Sequence, residues 1–255
     1  MKPLQTLDTY RTPDGQDLVL LTRDGDFFIH IDGEELMSTR ASGSEVGLAE
    51  VGCDRLPSDT PRILIGGLGC GFTLRACLDK LPSRAEVVVA ELFPVVVQWN
   101  RTHLAHLNRD ALDDPRTRVV TRDVWDVLAD AGPGFDAILL DVDNGPGSVC
   151  VEANHRLYDL EGIEHLRRAM TPGGRIAIWA SQPDPHFANR VRKRGFEVKT
   201  KMIRSEGKGG SRRHVVITAQ AAKGARVRHR PIAKNRLKKG ERAGPGPSRG
   251  GRRRR

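Results

Sequence analysis

This chain of 255 residues predicts an α/β fold whose sheet is doubly wound, mostly parallel and seven-stranded. Three observations carry that reading. From Arg62 onward, short continuous apolar runs alternate five times with amphipathic stretches. The first run ends in Gly66-Gly67-Leu68-Gly69-Cys70-Gly71, where a strand must turn sharply into a helix. The last two runs, FEVKTKMIRS and SRRHVVITAQ, are joined by Glu-Gly-Lys-Gly-Gly, so the sheet ends in an antiparallel hairpin.

Residues 17–38 read DLVLLTRDGDFFIHIDGEELMS, three apolar runs parted by Asp24-Gly25 and Asp32-Gly33. Such dipeptides tolerate positive φ and favour tight hairpins, so a small antiparallel β meander is expected at the N-terminus. A polar helix over roughly 44–56 follows, and Pro57 and Pro61 punctuate the boundary. RILIG then leads to the helical FTLRACLDKL, and EVVVAEL to FPVVVQWNRTHLAHL, with proline near its first turn. TRVVTRD precedes the short helix VWDVLAD. FDAILLDVD is apolar on both faces, as a strand covered on both sides requires. A helix around Asp159–Met170 closes on a Pro-Gly-Gly turn at 172–174. RIAIWAS is the fifth strand and PDPHFANRVRKRG the helix after it. Three segments are expected: 1–56, the meander with its connecting helix; 57–220, a nucleotide-binding sheet domain; and 221–255, a tail.

The formal charge of +10 is distributed unevenly. From Ala221 the tail holds 14 Lys or Arg and one acid, Glu241, a net +13, whereas the first 220 residues hold 28 bases and 31 acids. The body is therefore mildly acidic, and the basic character belongs to the tail. Rich in Gly, Pro and base and without Phe, Trp or Tyr, the tail cannot bury enough surface to offset its ordering entropy, and disorder is expected. Contact with nucleic acid through it would be non-specific, salt-dependent and made to phosphates, since it offers no ring for base stacking. A solubilising end is the competing account. No run approaches 18 apolar residues, so no membrane span is expected. The N-terminus lacks the apolar stretch of a secretory signal. Cys53, Cys70, Cys77 and Cys150 form no CxxC pair, which favours reduced thiols in a cytoplasmic protein over a zinc site or a disulfide framework.

Candidate chemistry lies at the strand ends. Gly67, Gly69 and Gly71 form a GxGxG turn, where a ligand can approach the backbone closely. Glu91 ends the second run, where a carboxylate can accept both hydroxyls of a ribose. Asp123 ends the third, within reach of an adenine amino group, and Asp141 and Asp143 end the fourth. Acids at consecutive strand ends face the crevice where open α/β sheets bind ligands. Asp141 and Asp143 share one face of an extended segment, and like charges there need a cation or a proton between them. A cationic amine would supply it, a metal ion is the rival, and turn capping by DVDNGP is the purely structural account.

The order of these features resembles class I S-adenosylmethionine-dependent enzymes, with their Rossmann-like sheet. Among them it is most similar to the spermidine synthase (polyamine aminopropyltransferase) family, over roughly residues 17–205. The resemblance rests on the meander ahead of the sheet and on ILIGGLGCG, with Ile65 where many methyltransferases place an acid. LDDPRTRVVTRDVWDVL stands beside the family's LDDPRVEVVVGDGFEFL, FDAILLDVDNGP beside YDVIIVDSTDPIGP, and LYDLEGIEHLRRAMTPGG beside LFTEEFYELLKRALKPGG. It implies that the glycine turn and Glu91 hold the ribose side of decarboxylated S-adenosylmethionine, or of S-adenosylmethionine, as co-substrate. Asp123 and Val124 would hold the adenine. Asp141 would bind the amine and accept its proton, Asp143 would add a second negative charge, and Tyr158 would face the amine. The implied partners are a small cationic amine and a second copy of the chain in a dimer, with no metal and no membrane. Three departures stand out: GGLGCG lacks the aspartate of the family's GGGDGG, and DVDNGP replaces DSTDP. The family's Tyr-His-Glu stretch is also missing from STRASGSEVGLAEVG, where Glu45 and Glu50 remain.

Three functions are compatible with the sequence: aminopropyl transfer from decarboxylated S-adenosylmethionine to a polyamine, methyl transfer from S-adenosylmethionine, and a silent nucleotide fold whose tail does the binding. The first two differ at the donor's carboxylate, for which a methyltransferase needs hydrogen-bond donors. Acids at the strand ends and no base in the glycine turn favour aminopropyl transfer. His103 and His106, three apart on one helix, lack a third ligand and read as surface histidines. Trp99, Trp125 and Trp179 read as packing residues, with Trp125 a neighbour of the adenine, and the stretch from Ser181 to Asp184 as a loop.

Overall fold

Alternation of buried Leu18 and Leu20 with half-buried neighbours, matched by Ile29 and Ile31 opposite, builds the N-terminal sheet of the computed structural model. The structure describes residues 3–40, 42–142, 145–147, 154–205 and 213–221. Asp143, Cys150 and the expected tail beyond Ala221 lie outside the described residues, and Ala221 itself ends the last strand.

Strands β1 (Gln5–Arg11), β2 (Asp17–Arg23), β3 (Asp26–Ile31) and β4 (Glu34–Ser38) pair antiparallel in chain order. Asp24, Gly25, Asp32 and Gly33 all take positive φ, so both Asp-Gly hairpins form as expected. β1 is an addition to the three expected runs. QTLDTYR is polar and mostly exposed, without the apolar alternation that marks a strand. It is held by its pairing with β2 and by Asp8, whose carboxylate accepts the Trp99 indole N–H at 2.8 Å.

Helix α1 (Gly43–Gly52) leads into the second sheet. In chain order its elements are β5 (Arg62–Gly66), α2 (Phe72–Lys80), β6 (Glu86–Glu91), α3 (Pro94–Arg101), α4 (Ala105–Asn108), β7 (Thr117–Thr121), α5 (Val124–Asp130) and β8 (Phe135–Leu140). They continue with α6 (His155–Tyr158), α7 (Leu160–Ala169), β9 (Met170–Ala180), α8 (Pro185–Arg192), β10 (Phe196–Arg204) and β11 (Arg213–Ala221). Strand order is β10-β11-β9-β8-β5-β6-β7, parallel except that β11 runs against both neighbours. The seven-stranded, mostly parallel sheet with its terminal antiparallel hairpin is the one the sequence predicts.

Period two decides which side each strand residue packs on. Ile63, Ile65, Val87, Val89 and Leu139 join a core shared with Leu18, Leu20, Ile29, Ile31 and Leu48. Leu64, Val88, Ile138 and Leu140 join the opposite core, with Leu128, Ile163 and Phe187 from α5, α7 and α8. Two boundaries differ from expectation. The helix over 93–107 breaks after Arg101: the Thr102 hydroxyl back-bonds to the Gln98 carbonyl and its backbone leaves helical values. The Pro-Gly-Gly turn is absorbed into β9 as an irregularity, pairing passing from Phe135↔Met170 directly to Ala137↔Arg175. Among the described residues, no helix is long and apolar enough to cross a membrane.

Candidate active site

The chain leaves β5 toward β6 and β7, then returns to place β8 on the other side of β5. That reversal opens a crevice at the carboxyl ends of β5 and β8. A cavity of about 340 Å³ lies there, within the range of small-molecule sites. Gly67, Gly69, Glu91, Asp123, Val124 and Asp141 line it together, and so does Glu45 from α1.

The glycines have different reasons for being glycine. Gly67 has φ +87°, and an added Cβ would run into the Asp141 carbonyl oxygen. Gly69 has φ +52°, and its Cβ would stand 2.6 Å from the Met37 sulfur across the cavity. Gly71 does not line the cavity; it starts α2 at φ +82°, where a Cβ would meet Asn100 Oδ1 at 2.8 Å. From behind, buried Asn100 donates to the carbonyls of Gly69 (2.7 Å) and Val96 (2.9 Å) and accepts from Asn108 Nδ2 at 2.9 Å. Nothing in the local sequence marks this asparagine pair, eight residues apart, as the brace of the turn. Asn100→Ala would strand buried partners and is expected to destabilise the fold by about 2 kcal/mol. Urea denaturation reads that loss, and ligand titration reads the accompanying loss of affinity.

Glu91 is buried, and each carboxylate oxygen accepts one backbone N–H: Oε2 from Leu68 at 2.8 Å and Oε1 from Phe93 at 2.9 Å. An ionised carboxylate offers about four acceptor positions, so capacity for two hydroxyls remains. Burial pushes its carboxyl upward against the backbone N–H groups of Phe93, Leu68 and Leu92. Asp123 caps α5, accepting from Trp125 N at 2.8 Å, and its other oxygen pairs with Arg156. The Arg156 guanidinium lies 5.1 Å from the Trp125 ring centroid, so this loop is pinned beside the cavity.

Asp141 stands just beyond the end of β8, where its Oδ2 accepts the Thr73 hydroxyl at 2.6 Å. Burial lifts its carboxyl to about 6, with Thr73 pulling the other way. Glu45 is only 9% exposed and is lifted further, to about 7, by burial first and then by the charge of Asp141, while the Ser44 hydroxyl donates to its Oε2 at 2.6 Å. Two carboxyls sharing one low-dielectric cavity prefer to hold a proton or a cation between them. Asp143, expected beside Asp141, lies outside the described residues.

Tyr158 does not join these residues, which corrects the expectation that it faces the amine. It is 3% exposed in the core and meets the Phe187 ring edge-on at 5.7 Å. α6 turns its apolar side to the sheet, and Tyr158 goes with it. Trp179 packs against the core and on the His214 ring, as expected, and in addition lines the cavity with Ser181, Ser205 and His214. Along β9, Ile176 and Ile178 point into one core, so Trp179 takes the other face. Trp125, by contrast, is absent from the wall and packs on His165. Among the described residues no group of three or more His, Cys, Asp or Glu is arranged to hold a metal ion.

Comparison with known proteins bears on the family and the fold. Residues 48–193 match the family model described as the spermine/spermidine synthase domain. A polyamine aminopropyltransferase of Mycobacterium tuberculosis is 32% identical over 178 residues, covering 68% of this chain and 32% of that protein. One from Aeropyrum pernix is 36% identical over 118 residues, 44% of this chain and 35% of that protein. The chain thus spans about a third of the length of these curated relatives. The crystal structure of spermidine synthase from Thermotoga maritima superposes with a TM-score of 0.67 at 18% identity, covering 84% of this chain and 72% of that one. A spermidine synthase in complex with the transition-state analogue AdoDATO superposes with a TM-score of 0.66 at 17% identity and the same coverage.

Proposed function

The chain belongs to the spermine/spermidine synthase family, and from that premise we propose that it transfers an aminopropyl group from decarboxylated S-adenosylmethionine to a small cationic amine of the polyamine class. One observation carries the reading. The cavity joins a glycine turn and Glu91, suited to a ribose, to the acid pair Glu45 and Asp141, and no Lys or Arg stands among its described lining residues. Such a wall favours a ligand bearing a sulfonium and an ammonium.

In the proposed reaction the nitrogen of a neutral amine attacks the methylene carbon next to the sulfonium. The carbon–sulfur bond breaks with its electron pair going to sulfur, methylthioadenosine leaves, and the proton lost by nitrogen passes to Asp141. The leaving group needs no acid, so the protein supplies alignment and a base. Glu91 would hold the ribose, Asp123 and Val124 the adenine edge, and Asp141 the attacking nitrogen, with Asp143 a second charge for the polyamine.

Calorimetric titration with decarboxylated S-adenosylmethionine and methylthioadenosine tests the donor site, and mass spectrometry of a reaction with 1,4-diaminobutane tests the transfer. Micromolar donor binding and an acceptor heavier by one aminopropyl group are expected. Absence of binding by either nucleoside refutes the reading. The basic tail is proposed as a separate polyanion contact. Deleting residues 221–255 is expected to leave donor affinity within twofold while abolishing salt-dependent retention on duplex DNA, measured by fluorescence anisotropy.

A further inference from the structure

We infer that Glu45 is the residue by which this cavity selects the decarboxylated donor over S-adenosylmethionine itself. The inference rests on the donor site proposed above and asks which side chain sets its preference. The two donors share adenosine, sulfonium and amino group and differ by one carboxylate. A discriminating residue must therefore be a charge near the donor's side chain, beyond the ribose site at Glu91.

The glycine turn offers none: its non-glycine residues are Leu68 and Cys70, both buried and uncharged. Glu45 is placed to act from the facing wall. It leaves the first turn of α1, lines the cavity with Gly67, Gly69 and Asp141, and accepts the Ser44 hydroxyl at Oε2 and its own backbone N–H. After burial, the larger cause in both cases, the Glu45 charge raises the Cys70 thiol in the turn, and Asp141 at the end of β8 raises Glu45. Asp141 serves less well as the selector. It stands just beyond the end of β8, where the acceptor nitrogen is to be deprotonated. A carboxylate in that low-dielectric setting attracts the donor's ammonium and repels a second carboxylate. No described Lys or Arg lines the cavity to offset the repulsion.

The test compares three nucleosides on the full chain by calorimetry near pH 8. Decarboxylated S-adenosylmethionine carries the ammonium alone, S-adenosylmethionine carries both groups, and methylthioadenosine carries neither. The unaltered protein is expected to prefer the decarboxylated donor about a hundredfold. In Glu45→Gln that preference is expected to fall at least tenfold, through weaker binding of the decarboxylated donor and tighter binding of S-adenosylmethionine. Methylthioadenosine should change by less than twofold. An unchanged preference in a variant that still binds methylthioadenosine overturns the inference. Glu45→Ala is the second neutral variant should Glu45→Gln fail to fold. If neither variant binds methylthioadenosine, Glu45 supports the fold rather than the selection, and the inference falls. If the unaltered chain binds no methylthioadenosine, the donor site itself is refuted, a distinct result.

Discussion

Asp141→Asn is expected to lower turnover about a thousandfold while leaving donor affinity within a few-fold. The substitution preserves size and keeps an acceptor oxygen for the Thr73 hydroxyl, which now meets Asp141 Oδ2 at 2.6 Å, so the end of β8 keeps its shape. What it removes, on the proposed mechanism, is the negative charge that would hold the amine and the lone pair that would take its proton. Steady-state kinetics with saturating donor should show the loss in kcat, and titration with methylthioadenosine should show that the nucleoside site survives. The opposite pattern, with affinity lost and kcat kept, would place Asp141 on the donor and move the base elsewhere. Thr73→Ala separates the two contributions further. It removes only the hydroxyl that lowers the Asp141 carboxyl, so the pH at which activity rises should move upward while the limiting rate changes little.

Much of this site was legible because its acids end strands. A buried apolar run announces a parallel strand, and in an open sheet the residue at its carboxyl end faces the crevice. Glu91, Asp123 and Asp141 were therefore placed by position alone. Glu45 was visible only as an acid of a polar helix, one of two remaining where the family's Tyr-His-Glu stretch is missing. It reaches the cavity because α1 packs across α2, β9, β10 and β11, close enough that a Cβ on Gly47 would meet the Ile203 side chain and one on Gly52 the Leu139 side chain. No local pattern encodes that long-range packing. Tyr158 and Trp179 show the converse limit. Both are aromatic and near the site in sequence, yet helix face and strand parity send Tyr158 into the core and Trp179 to the cavity wall. β1 was hidden for a third reason: an edge strand stabilised by pairing and one indole hydrogen bond needs no apolar alternation.

The acid pair is also expected to make the ligand-free protein lose stability as pH rises from about 4 to about 7. Both carboxyls sit higher in the folded chain than their ordinary values, Glu45 at about 7 and Asp141 at about 6. Across that window the folded state therefore binds more protons than the unfolded state. Stability follows the difference in bound protons, so the contribution is fully present below the ordinary carboxyl range and is lost as pH rises through the folded values. For Glu45 alone the loss is about 3 kcal/mol, at roughly 1.4 kcal/mol per pH unit. Urea denaturation at pH 5 and pH 8 reads it directly, and Glu45→Gln should be the more stable protein at pH 8 but not at pH 5. A cationic donor reverses the penalty by taking the proton's place. Calorimetry at pH 6.5 in two buffers of different ionisation enthalpy should accordingly show proton release on binding, and the release should vanish by pH 9. Equal stability at the two pH values, together with binding that releases no protons, would mean that the pair is already ionised and solvated, and that burial does not poise it to exchange a proton for a cationic substrate.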